Sequence, residues 1–212
     1  MNSISNASTY TATVHNDLAN MSCLFFNRSE IVSVDLSKLN TAKVTNMDDM
    51  FNGCVNLTSV NLSNLDTSSL TEMRTMFNYC PSLLSVDLSS FDTSKVTNMY
   101  SMFFGCCSLK NLDLSSFDTS NVLYMNYMFD GCSSLTTLDL SSFDTSRVNN
   151  MSCMFCGCTN LATINGVIDM KSCEYCIDMF KDCHKLKGVK IKNPPADFNG
   201  EGLSPSQYTI VS

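Results

Sequence analysis

Three observations predict that this 212-residue chain is an α/β solenoid, a rod of about seven turns of 25–26 residues. The first is a long internal repeat. Residues 96–121 read VTNMYSMFFGCCSLKNLDLSSFDTSN and residues 122–147 read VLYMNYMFDGCSSLTTLDLSSFDTSR. Val44, Leu70, Val96, Val122 and Val148 open successive units 26 residues apart, Cys173 opens a seventh after 25, and Leu18 opens a degenerate first one. The second is that two hydrophobic periods follow one another inside each unit, one helical and one extended. The third is that the same residue types recur in columns, so neighbouring units present matching faces to each other and bury them together.

Taken in order, residues 1–17 form a polar lead-in. Tyr10, Ala12 and Val14 alternate there, which predicts a capping strand over residues 9–14. A solenoid needs its first open edge covered. Residues 18–192 are the repeat region, and residues 193–212 are a C-terminal cap or tail.

Within the fourth unit, Val96, Met99, Met102 and Phe103 fall at i, i+3, i+6 and i+7, the stripe of a short helix. Gly105 is placed to stop it. The column also holds Gly53, Gly131 and Gly157, but Tyr79 and Asp182 stand in it, so a positive φ is not expected to be obligatory there. Leu112 and Leu114 then flank a polar residue, the mark of a strand with one buried face. Val34/Leu36, Val60/Leu62, Val86/Leu88 and Leu138/Leu140 repeat it. Phe117 plugs the core after a Ser-Ser corner, and Asp118-Thr119-Ser120 is expected to cap the next helix. The last repeat departs from the pattern. Lysines crowd residues 181–192, Pro194-Pro195 halts regular structure, and a final strand is expected over residues 207–211.

Fourteen methionines and twelve cysteines invite a metal or redox reading. The methionines sit at core spacing, where Met is a flexible filler. Cys54, Cys80, Cys106, Cys132, Cys158 and Cys183 share one column. In stacked turns roughly 4.8 Å apart their side chains run parallel, so they read as buried free thiols and not as disulfides. Cys153-x-x-Cys156 and Cys173-x-x-Cys176 match a zinc-ribbon spacing. By register, however, the first pair faces outward and the second inward, so no metal and no cofactor is expected.

The net charge of −7 and the lack of a basic stripe argue against nucleic-acid binding. No apolar run nears 18 residues, and no basic-then-apolar leader is read at the N-terminus, so neither membrane insertion nor a signal peptide is expected. His15 and His184 belong to no triad or HExxH motif, no phosphate-binding loop occurs, and no enzyme activity or catalytic residue is expected.

Two surface features remain as candidate contact sites. Asp87, Asp113 and Asp139 lie in a column on the exposed strand face with Asp35, Asn61 and Asn165. Adjacent carboxylates about 5 Å apart repel by roughly 0.8 kcal/mol in water, so the column reads either as a solvated face or as a surface for a basic partner or a divalent cation. Tyr100, Phe104, Tyr124 and Tyr127 break the polar pattern of the outer helical side, where tyrosine favours contact. A second acidic column, Asp66, Asp92, Asp118, Asp144 and Asp169, is assigned to capping and turn-making.

The string Met-Phe-x-Gly-Cys-x-x-Leu-x-x-Leu-Asp-Leu-Ser-Ser-Phe-Asp-Thr-Ser-x-Val-x-x-Met, carried over residues 102–125 and 128–151, resembles the BspA-like leucine-rich repeat family. The resemblance spans about residues 18–192. It implies a right-handed leucine-rich-repeat-type solenoid with a parallel sheet on one face and short helices on the other. It further implies a bacterial or protist surface protein used in adhesion, with a protein or extracellular-matrix partner, and so a cell-surface or secreted location. A spacer or self-associating segment of a larger surface protein, a cytoplasmic location, and a metal or redox protein built on the cysteine cluster are the alternatives. The oligomeric state is not encoded in any feature read here.

Overall fold

The computed structural model describes residues 8–11 and 18–212. It is a parallel-strand β-solenoid of about eight turns. Strands β1 (Ser8–Thr11), β2 (Ile31–Asp35) and β3 (Ser59–Asn61) pair in that order. Strands β4 (Thr137–Asp139) and β5 (Thr163–Asn165) pair next, followed by β6 (Val167–Asp169), β7 (Val189–Lys192) and β8 (Tyr208–Val211). Every pairing is parallel. β1 lies on β2 and β8 on β7, each covering an outermost strand. Ala12, Val14 and His15, from the expected N-terminal cap, lie outside the described residues.

Paired strands set Asp35 beside Asn61 and Asp139 beside Asn165. Between them the run Asp87, Asp113, Asp139 sets like charges opposite each other, and Asp113 feels both neighbours. Residues 86–88 and 112–114 keep their place in the column without strand pairing, contrary to the sequence expectation. Val86, Leu88 and Leu114 are buried all the same.

The other face corrects the sequence reading more deeply: among the described residues it contains no helix. Ser101 and Gly105 both have positive φ (51° and 71°), and so do their counterparts in every repeat, Tyr79 and Asp182 included (55° and 64°). Left-handed residues four apart interrupt any right-handed helix. Alternate amides instead reach the next coil: Met47, Asp49, Phe51 and Gly53 donate to the carbonyls of Glu72, Arg74, Met76 and Asn78 at 2.8–2.9 Å. Of the amides between them, Met50 and Asn52 donate three residues back, to the carbonyls of Met47 and Asp49, and Asp48 donates to the Asn46 Oδ1. A helix of two turns would close few internal bonds for the cost of nucleating it. Stacked turns satisfy the same amides by bonding to neighbours. The apolar stripe fits either geometry, and so it misled.

With no helix to cap, the Asp-Thr-Ser segments do something else. The carboxylates of Asp66, Asp92, Asp118 and Asp144 accept from the amides of Ser68, Ser94, Ser120 and Ser146 at 2.9–3.0 Å, each closing an Asx turn. The strand-face column does likewise. Thr41, Thr67, Thr93, Thr119 and Thr145, which follow the Asx-turn column or its counterpart, are buried.

The core is a set of continuous files. Phe25, Phe51, Phe77, Phe103, Phe129, Phe155 and Phe180 stack with centroids 5.2–5.9 Å apart and planes within 10° of parallel. Met47/Met50 and their repeats pack beside them, fully buried. Each column cysteine donates its thiol to a phenylalanine carbonyl of the preceding coil: Cys80 to Phe51, Cys106 to Phe77 and Cys132 to Phe103, at 3.0–3.1 Å. A small apolar residue that also carries a weak donor suits this position. All twelve cysteines are free.

The sixth coil is one residue short near Gly166, and a Cβ there would meet the Leu140 carbonyl at 2.7 Å. Only glycine lets the shortened coil lie against its neighbour.

Candidate functional site

The turn face owes its shape to the alternation just described. Tyr100 and Phe104 point outward between residues whose amides bond forward, Met102 between them turns inward, and Tyr127, whose own amide bonds forward to the Ser152 carbonyl, stands beside them on the next coil. Tyr100 and Tyr124 are exposed, and Phe104 and Tyr127 are half-buried. The Tyr127 ring stands edge-on to Tyr100 (6.0 Å, 82°) and to Phe104 (6.5 Å, 68°). Edge-to-face contacts of this kind fix ring orientation. With Asn78 and Ser101 these three rings line a recess of about 160 Å³. The Asn78 Oδ1 is buried there without a hydrogen-bond partner among the described residues. Tyr79, 56% exposed, extends the patch, its ring lying over Gly105.

Sequence reasoning found four of these rings but not Asn78, Ser101 or Tyr79. Tyr79 did leave a signal, as the one aromatic in a column of glycines. Nothing in the repeat marks Asn78, whose column also holds Asn52.

Asp87, Asp113 and Asp139 are exposed, and each accepts from the backbone amide two residues on. Those bonds, with the serine hydroxyls, hold all three carboxyls below their ordinary value. Asp113 and Asp139 border a shallow depression of about 270 Å³ with Asn111, Leu112 and Thr137. These aspartates therefore shape the coil corners, whatever else they meet.

The two CxxC pairs do not converge on one centre. Cys173 and Cys176 are buried. Cys153 and Cys156 are half-buried, and they meet Asp130 of the preceding coil, with one ligand atom from each within 4.8 Å of the others. His184 is on the surface, 3.6 Å from Asp182.

A family profile described as Mycoplasma protein of unknown function, DUF285, matches residues 5–91 and again 80–193. The chain belongs to this family. The two matches to the DUF285 profile overlap by part of one repeat and together take in nearly all the coils. Among solved structures, the DUF285 chain is similar to the leucine-rich repeat protein TpLRR of T. pallidum, at 21% identity with a TM-score of 0.61, over 84% of this chain and 77% of that one. That likeness shows a leucine-rich-repeat-type fold. A leucine-rich repeat protein from Bacteroides ovatus is 13% identical over 100% of this chain and 94% of that one, with a TM-score of 0.33, too loose a superposition to bear on the fold. No curated protein matches. No helix is long and apolar enough to cross a membrane among the described residues.

Proposed function

We propose that this chain is a non-enzymatic protein-binding module whose contact surface is the aromatic patch of the turn face. The reading rests on one observation: the rings of Tyr100 and Phe104, both braced edge-on by Tyr127, around a recess on the turn face. Braced aromatics offer contact area at little entropic cost. An acidic chain, with rings that attract cations and an unpaired acceptor at Asn78, suits a partner that inserts an arginine or lysine. The resemblance to BspA-like repeats supports adhesion as the proposed role, with a matrix or host-surface protein as partner at the cell surface. The second reading, a spacer within a larger surface protein, has support in the aspartate column, whose members are already engaged in building corners.

The test is binding of the purified chain to a panel of matrix proteins and intact cells. Tyr100→Ala combined with Phe104→Ser is expected to abolish capture, whereas Asp87→Lys combined with Asp139→Lys leaves it. Capture lost only in the aspartate variants moves the contact to the strand face. A flat response across the panel favours the spacer.

A further inference from the structure

We propose that Asp130, Cys153 and Cys156 form a binding site for a thiophilic divalent metal ion of the Zn²⁺ class. The site spans two coils: Asp130 sits at the outer edge of one, and both cysteines sit on the next. One carboxylate oxygen and the two Sγ atoms all lie within 4.8 Å of each other. In a tetrahedral site with Zn–S near 2.3 Å, two sulfurs stand about 3.8 Å apart. Small side-chain rotations close the remaining gap without moving the backbone. The stacking of the two coils already fixes that backbone, through Gly131 donating to the Cys156 carbonyl at 2.8 Å.

The Asp130 carboxylate supplies the second argument. It is half-buried, yet among the described residues no N–H or O–H donates to it and no cation pairs with it. A carboxylate withdrawn from water without a partner is costly. In its column Asn52, Asn78 and Phe104 on the preceding coils carry no charge, Cys156 stands on the next coil and Lys181 on the one after. The surroundings also favour a cation. Asp178 acts on Cys153, Asp182 acts on Cys156, and Asp130 acts on both, with Lys181 opposing them. Two thiolates and one carboxylate select a d¹⁰ ion over Mg²⁺ or Ca²⁺. The fourth position faces outward, open to water or to a partner's side chain. On binding, the two thiols lose their protons to solvent and the ion gains two Sγ bonds and one Oδ bond; no electron moves. The other thiols do not compete. Those of the column, with Cys173 and Cys176, are buried, Cys23 and Cys107 are exposed and belong to no such group among the described residues, and the Cys153 thiol gives up only a long 3.8 Å contact to the Ile177 carbonyl.

The experiment is titration of the reduced, metal-free full chain with Zn²⁺, and in parallel with Co²⁺, whose thiolate charge-transfer band reports sulfur ligation. One ion per chain is expected, with that band present. Cys153→Ser and Cys156→Ser should each weaken binding at least tenfold, roughly as loss of an outer-shell partner already does. Asp130→Asn should weaken it as well, while Cys107→Ser and Cys173→Ser should not. Denaturant unfolding of each metal-free variant shows that the coil survives the substitution. Absence of uptake by the reduced chain would overturn the proposal. So would uptake indifferent to Cys153 and Cys156, or affinity unchanged in Asp130→Asn. The partner-binding reading stands or falls separately, since its readout is capture by the aromatic variants.

Discussion

The Thr93 hydroxyl makes two hydrogen bonds to one residue of the next coil, accepting from the Asp118 amide and donating to the Asp118 carbonyl, both at 2.9 Å. Thr119 does the same for Asp144, and Thr145 for Asp169. A buried side chain thus takes the place of a backbone partner between coils. Thr93→Val keeps the volume and leaves both Asp118 groups unpaired, so it should cost about 1–3 kcal/mol. Thr93→Ser should keep most of the stability. Urea unfolding of the two variants distinguishes hydrogen bonding from packing.

Alkali should unfold the rod through its thiols. Desolvation pushes Cys54 up to about 11, and Cys106 and Cys183 up to about 12, from an ordinary 9.0. Below pH 9 both folded and unfolded chains hold these protons, and the contribution is complete. Above it the unfolded chain ionises first. Each such thiol then removes about 1.4 kcal/mol per pH unit until its folded value is reached. Cys106→Ala should lower stability at pH 7 and make the alkaline decline shallower by one such increment. Denaturation midpoints measured from pH 7 to 11 give both slopes.

Asp130 has the opposite effect from a stabilising carboxylate. Its folded value lies above its ordinary 3.8, so it penalises the native state once pH rises past that value, and fully above about 6. Asp130→Asn should therefore stabilise the metal-free chain at pH 7 and leave it unchanged near pH 3.5. More than half of the group is screened by water, which limits the gain to about 1 kcal/mol. A thermal melt at both pH values checks the sign.

The exposed aspartates run the usual way. Their carboxyls are held low by the serines they accept from, so their contribution is present above about pH 4 and fades as pH falls through the folded values. Asp113→Asn keeps the corner, as Asn61 does through Ser63, and removes the repulsion from Asp87 and Asp139. It should raise the melting temperature, and Asp113→Ala should lower it. Equal effects of the two would show that the corner bond is immaterial.

The columns of Leu, Phe, Met and Cys were legible because burial depends on period, and a period of 26 survives any local conformation. The conformation of the turn face was not. Met99, Met102 and Phe103 fall on one helical stripe, and they fall inward equally well from overlapping turns. The deciding feature is the left-handed backbone at Ser101, Tyr127 and Cys153, and none of those residue types announces it. Thr119 was misread for a related reason. Asp-Thr-Ser caps helices elsewhere, and only the neighbouring coil shows that the threonine points in. The aromatic patch was partly visible as a break in the repeat. That Cys156 shares an outer column with Asp130, one 26-residue period on, was legible; that the Cys153 thiol joins them was not, because Cys153 stands in a different column.

The most direct test of the stacked coils is alkylation of the reduced, native protein at about pH 8, mapped by mass spectrometry. Cys54, Cys80, Cys106, Cys132, Cys158 and Cys183 should stay unmodified while the exposed Cys23 and Cys107 react at once, and all should react in urea. Native alkylation of the six column cysteines at the rate of Cys107 would contradict the sealed file of thiols and the register that produces it.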